Sequence, residues 1–175
     1  MPRRFRIQSP PWRLDRTDHR ILALLQRDAR RSNKEIAAAV GIADSTFSAR
    51  LRRLEDTGVI RGYRAEVEPA ALGIGLEAII AVKLHKHTRG AIESFWARTA
   101  ELPEAIHVFH VTGPNDFLVH VAVANIHHLQ AITSDVLTTW PEIAHLETSV
   151  VYDQRDQGGL PDLIEPADDG PSPGS

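Results

Sequence analysis

Two groups of side chains in this 175-residue chain have types and spacings that could do chemistry. The first lies in ADSTFSARLRRLED, from Ala43 to Asp56. Phe47, Leu51 and Leu54 recur at three- and four-residue steps, which stacks them on one face of a helix. Ser45, Ser48, Ala49, Arg52 and Arg53 stand opposite. An apolar back with a small, polar, arginine-bearing front suits a helix that enters the major groove of DNA. Just before it, Lys34 to Val40 reads as a short Ala-rich helix with Ile36, Ala37 and Val40 on one side. Gly41 supplies the tight turn, because a residue without Cβ enters left-handed backbone space cheaply. The whole, Asn33 to Gly58, reads as a helix-turn-helix. Its expected DNA contacts are Lys34, Ser45, Thr46, Ser48, Arg50, Arg52, Arg53 and Arg61.

The second group is histidine, nine in all. His85, His107 and His120 are expected on a sheet face without helices, with His145 beside them. Together with Glu147 they could ligate a metal. The blander alternative is a set of polar residues at a sheet-to-sheet dimer interface. The spacing favours it: the nearest to an HxH ligand pair, His85 and His87, falls at a strand end, and no HxxxH step lies on a helix. His127 and His128 read as surface residues. No metal and no cofactor are therefore expected. The sequence shows no Ser-His-Asp set, phosphate-cradling glycine loop or paired catalytic carboxylates, so an enzyme is not expected. The absence of Cys excludes disulfides, thiol nucleophiles and cysteine-ligated zinc.

Charge separates the chain into two parts. Overall it carries 20 Lys+Arg and 23 Asp+Glu, a net of -3. Met1 to Arg64 holds 15 basic and 7 acidic residues, while Ala65 onward holds 5 and 16. A basic head attracts the phosphate backbone and releases counterions, which adds affinity without sequence information. The acidic body repels DNA and helps fix which face docks. A hydrophobic content of 42% and a charged content of 25% are those of an ordinary globular protein. No apolar run approaches the ~20 residues that cross a membrane, and MPRRFRIQSPPWRL lacks an apolar signal core. The expected location is the cytoplasm, with no membrane partner.

These residues need elements to position them. A first helix is expected over about Asp15–Asp28, capped by Asp15 or Thr17, with Ile21, Leu22 and Leu25 inward. Ser32 or Asn33 caps the next helix. VIRGYRAEV reads as a short hairpin, the wing of a winged helix-turn-helix. The body then alternates strand and helix: strand 77–85 with Ala78, Ile80, Val82 and Leu84 on one face, helix 89–100, strands 105–112 and 117–124, helix 126–139 and strand 142–152. That order, β-α-β-β-α-β, is the ferredoxin-like pattern, so the fold class is α+β. Two helices cover one sheet face, and the other needs solvent or a partner. Phe109, Val111, Leu118 and Ala122 are expected on it with His107 and His120. The domains are a flexible basic arm (1–13), a winged helix-turn-helix (14–67), a hinge (68–76), a ferredoxin-like sensing and oligomerisation domain (77–152) and a disordered acidic tail (153–175).

The stretch LDRTDHRIL, the run RLRRLEDTGVIRGYRA and the later HVTGPNDFLV occur in that order around this body. In combination, over about Leu14 to Tyr152, they resemble the Lrp/AsnC family of leucine-responsive and asparagine-related regulators. The resemblance implies binding to double-stranded promoter DNA, response to an amino acid, and homodimers that assemble into tetramers or octamers. Two departures stand out. The family often opens its recognition helix with Ser-Pro; here Ala43 and Asp44 stand there, and Asp44 is expected to cap. The family's loop of Gly, a variable residue, an aromatic and Asp is here Gly113, Pro114, Asn115 and Asp116. The implied ligand set is Gly113, Pro114, Asn115, Asp116 and Thr148, with Asp116 facing an ammonium and Thr148 adding a hydroxyl. Pro114 removes one backbone donor and Asn115 one aromatic wall. Alternatives remain open. GPND could be only a good hairpin turn, which would leave an effector-independent architectural DNA-binding protein. Tetrapyrrole-processing decarboxylases resemble this fold, but their His-Asn-Tyr and Asn-Leu-Trp-Phe-like patterns are missing.

Overall fold

The computed structural model describes residues 12–155 and 158–163. They form two compact units. Residues up to Ala65 make one, joined by 158–163, and Glu66–Arg155 make the other.

The first unit is three helices. α1 (Arg16–Arg27) opens on a reciprocal cap: Asp15 accepts from the Asp18 amide, and the Asp18 carboxylate accepts from the Asp15 amide. α2 (Asn33–Val40) opens the same way with Ser32 and Glu35, and ends at Gly41, left-handed at φ 78°. α3 (Asp44–Asp56) follows. Ile21, Ile36, Ala37, Val40, Phe47 and Leu54 are buried together, with Leu22, Leu25 and Leu51 packed around them. The spacing that predicts the apolar stripe of each helix therefore points at this core.

Two local expectations are corrected. Asp44 does not cap α3: the cap residue is Ala43, without a side-chain bond, and Asp44 is the first residue inside. Its charge still sits in the first turn, where the helix dipole favours an anion. The expected wing hairpin is also absent. Ile60 anchors to the Leu54 carbonyl, 2.9 Å away, and residues 61–68 then run exposed, without a strand ladder. Gly62 lies at φ 144°, far from the about 60° of a two-residue hairpin turn. Tyr63 instead donates to Glu55 at 2.9 Å, drawing the chain back toward α3.

Most of the arm 1–13 lies outside the described residues; Trp12 donates its Nε1–H to the Thr57 carbonyl at 3.0 Å. Of the tail expected to be disordered, 158–163 lie along α1. The Gln26 side chain accepts from the Leu160 amide at 2.7 Å, and His19 sits 2.6 Å from the Asp162 carboxylate. Residues 156–157 and 164–175 lie outside the described residues.

The second unit begins with a 3-10 turn, Pro69–Leu72, and then β1 (Leu76–Leu84), α4 (Arg89–Ala100), β2 (Ala105–His110) and β3 (Phe117–Val123). α5 (Ile126–Ala131) continues through a π turn (Ile132–Val136) and a 3-10 turn (Leu137–Thr139) to β4 (Ile143–Val150). The sheet order is β2-β3-β1-β4, antiparallel throughout. Ala78, Ile80, Val82 and Leu84 share one buried face with Phe117, Val119, Val121 and Val123, and Phe95, Leu129, Ile132 and Leu137 cover it. Phe95 stacks on Phe117 at 4.2 Å. Gly75 must be a glycine here: a Cβ would meet the Ala124 carbonyl oxygen at 2.6 Å.

The helix expected to run evenly over 126–139 changes pitch instead. Its buried residues are Leu129, Ile132, Leu137 and Trp140. The five-residue step from Ile132 to Leu137 is too long for an α turn and fits the wider π turn.

On the other sheet face the register sets Ile79 beside His120, Ala81 beside Leu118 and Glu147, and Lys83 beside His145. His107 pairs with His120 and Phe109 with Leu118. His85 does not join them. β1 ends at Leu84, and His85 stands exposed in the turn, its amide bonded to the Glu142 carbonyl.

Candidate nucleic-acid interface and sensing loop

α3 turns Phe47 and Leu54 into the core and leaves Ser45, Thr46, Ser48, Ala49 and Arg52 exposed. Ser48 Oγ donates to the Asp44 carbonyl at 2.8 Å, within the first turn. Lys34 and Arg61 are exposed as well. Among the described residues Arg52 is in no ion pair.

Arg50 and Arg53 are placed differently. Arg50 Nη1 donates to Asp15 at 2.6 Å and to Asp18 at 2.8 Å. Arg53 Nη2 bonds the other Asp18 oxygen. Each guanidinium is pinned by one terminal nitrogen, and the rest of its fork stays open. Burial pushes the Asp15 carboxyl up, but the Asp18 amide and the Arg50 guanidinium outweigh it and hold the group below the usual aspartate range. Bonds to Asp15 and then Asp18 hold the Arg50 guanidinium charged beyond its ordinary range. The sequence reading gives Asp15 only a capping task and Asp18 none, and foresees neither pairing with arginine. The signal was present: Asp15 and Asp18 are three apart on one helix, and Arg50 and Arg53 are three apart on the other.

The loop expected to sense a ligand joins β2 to β3. Gly113 takes φ 115°, so the turn itself calls for glycine. Pro114 is exposed and Asn115 half-buried. Asp116 was expected to offer a free carboxylate, and the structure turns it inward. It is 5% exposed and accepts from the Leu84 amide at 2.8 Å. His87 Nδ1 lies 2.9 Å from its other oxygen, and Lys83 Nζ lies 3.5 Å away. Its amide bonds the Val82 carbonyl. Burial raises this carboxyl, but the Leu84 amide, His87 and Lys83 together hold it below the usual range. Asp116 thus clamps the loop to the end of β1. His87, missed in the sequence, stacks on His110 at 5.4 Å, and His110 stacks on Phe117 at 4.7 Å.

Thr148 does not join this loop within one copy. It sits exposed on β4 opposite Ile80, with β1 between it and β3. On the sheet face without helices, His120 Nε2 lies 2.7 Å from Glu77 Oε2. Those two buried atoms are misaligned for a hydrogen bond. His107 stacks on His120 at 5.8 Å. Among the described residues no three His, Asp or Glu side chains converge to hold a metal. Among them, too, no helix is long and apolar enough to cross a membrane.

A three-helix unit with an exposed hydroxyl and arginine front, followed by a four-stranded antiparallel sheet with its helices on one face, is the two-part architecture of a DNA-binding regulator. Residues 14–61 match the family described as winged helix-turn-helix DNA-binding, and residues 77–160 match the Lrp/AsnC ligand binding domain. The chain belongs to the Lrp/AsnC family of transcriptional regulators. It is 40% identical to the HTH-type transcriptional regulator AldR of Mycolicibacterium smegmatis, over 80% of this chain and 82% of that protein. It is 36% identical to the leucine-responsive regulatory protein of Rhizobium meliloti, over 81% of this chain and 90% of that one. A Neisseria meningitidis transcriptional regulator solved as a complex with L-Met superposes with a TM-score of 0.79. There the identity is 30%, over 85% of this chain and 97% of that chain.

Proposed function

We propose that this chain regulates transcription by laying α3 in the major groove and by coupling that contact to an amino acid held near the 111–116 loop. The observation that carries the DNA part is the exposed front of α3. Ser45, Thr46 and Ser48 meet base edges and backbone, and Arg52 meets phosphate. Lys34 and Arg61 add phosphate contacts, and Arg50 and Arg53 offer what remains of their forks. The L-Met bound by the Neisseria relative supports an amino-acid effector.

Gly113, Pro114 and Asn115 form the lip of the site, and Asp116 holds its shape. Thr148 completes the set from a neighbouring copy, which makes the site a junction between subunits. A second copy also covers the sheet face that carries Ile79, Phe109, Leu118, His107 and His120, giving a dimer that assembles further into a tetramer or octamer. Half-exposed Phe109 supports a cover there. The protein acts in the cytoplasm and catalyses no reaction.

The inward turn of Asp116 favours a second reading, an architectural DNA-binding protein without effector. One experiment separates them. Genomic fragments recovered by immunoprecipitation are titrated with the protein in the presence of each amino acid. A shift in affinity or stoichiometry with one amino acid is expected. Unchanged binding with all of them supports the architectural reading.

A further inference from the structure

We infer that Asp18 is a specificity-determining positioning residue for DNA binding: a buried carboxylate that keeps Arg50 and Arg53 of α3 in neutral pairs and so holds down non-specific attraction to phosphate. This rests on the reading that α3 meets DNA.

The side chain of Asp18 is wholly buried, and its two oxygens serve three donors. One oxygen takes Arg50; the other takes Arg53 and the Asp15 amide. Asp15 sets a second carboxylate against Arg50. Two carboxylates thus face two guanidiniums, and the four charges cancel. A buried carboxylate cannot turn to water for compensation, so these pairs are obligatory rather than incidental. The spacing is matched as well. Positions 15 and 18 open α1 while 50 and 53 lie one turn apart on α3, which locks the rotation of α3 against α1.

Arg52 and Arg53 are neighbours in sequence with opposite tasks. Arg52 is exposed and in no ion pair among the described residues. Arg53, half-exposed, is tied to Asp18. The helix therefore presents fewer free cations than its sequence shows. Phosphate contacts carry affinity but no sequence information, so restraining two of the three arginines leaves a larger share of the binding to the base-reading front.

The test is Asp18→Asn, which keeps the shape and an oxygen acceptor and removes the charge. Affinity is measured against salt on two probes: a random-sequence duplex, and a fragment recovered from the cell with the wild-type protein. The expected result is a gain. Binding to the random duplex tightens, its log–log salt slope steepens by about 0.9 for each further phosphate engaged, and the ratio between the two probes falls. Mere damage to the fold would move affinity the other way. Asp15→Asn supplies a second variant on a half-exposed side chain, and asparagine remains a good cap there. It is expected to shift both quantities in the same direction by less. Wild-type protein that binds DNA, with folded variants whose random-duplex affinity and slope stay equal or fall, overturns the inference alone. Wild-type protein that binds neither duplex overturns the assignment of α3, and the inference with it.

Discussion

At the scale of single residues, a carboxylate that faces inward governs each candidate site: Asp18 of α1 beneath α3, and Asp116 in the 111–116 loop. Asp116 accepts from a buried amide, and its folded-state carboxyl is held below the ordinary value of 3.8. A depressed carboxyl contributes stability that is full above its unfolded value and is lost as pH falls through the folded one. Wild type should therefore lead Asp116→Asn in urea midpoint at neutral pH, and the lead should shrink below about pH 3.8. A lead that stays constant down to acid unfolding would reject the clamp. On α3, Arg52→Ala should weaken DNA binding and lower its salt slope by about 0.9, while Arg53→Ala should change the slope by less. Equal losses from both would show that the bond to Asp18 does not restrain Arg53. The sequence reveals that these arginines share a helix with an apolar back. It does not reveal which of them are occupied, because that depends on a carboxylate some thirty residues upstream.

At the scale of elements, legibility follows periodicity. The stripe Phe47, Leu51, Leu54 and the alternation Ala78, Ile80, Val82, Leu84 each report one buried face, and both faces are found where expected. α4 runs over Arg89–Ala100 as read, since Thr88 caps it and Leu102-Pro103 follows it. Only the hairpin expected within the wing is missing, because β-branched residues around a glycine suggest strands but do not supply a partner. Residues 61–68 have none among the described residues. Two substitutions probe the elements. Phe95→Ala, which empties the contact between α4 and the sheet, should cost about 3–5 kcal/mol in denaturant unfolding. Gly75→Ala should destabilise too, because the atom in its way is a backbone oxygen and cannot swing aside. An unchanged midpoint for Gly75→Ala would mean that the backbones at Gly75 and Ala124 part without cost.

At the scale of the whole molecule, charge and exposure assign a task to each part. The basic head and acidic body are visible in composition alone. The proposed site for a small molecule is less visible, since its loop departs from the family form and Thr148 lies across another strand. If, as proposed, Thr148 joins the loop of a neighbouring copy, spacing within one copy carries no trace of it. The sheet face without helices makes assembly measurable. Phe109→Asp puts a charge on an exposed apolar position opposite Leu118 and should lower the mass seen by light scattering without unfolding the chain. A mass equal to wild type would reject that face as the proposed contact between copies.

The uneven helix between β3 and β4 has a consequence for how this gene can drift in length. A π turn is an α-helix carrying one residue more than its pitch requires. Here the surplus falls between Ile132 and Leu137, where Ser134 and Asp135 are exposed. Loss of the Ser134 codon would shorten the step between the two buried residues from five to four, the spacing of an ordinary α turn. Both anchors would keep their place in the core. Codon deletions elsewhere in the same helix would rotate Leu129 or Trp140 out of it. A library of single-codon deletions across 126–140, sorted for folded protein, should therefore retain its survivors at 133–136 and lose the rest.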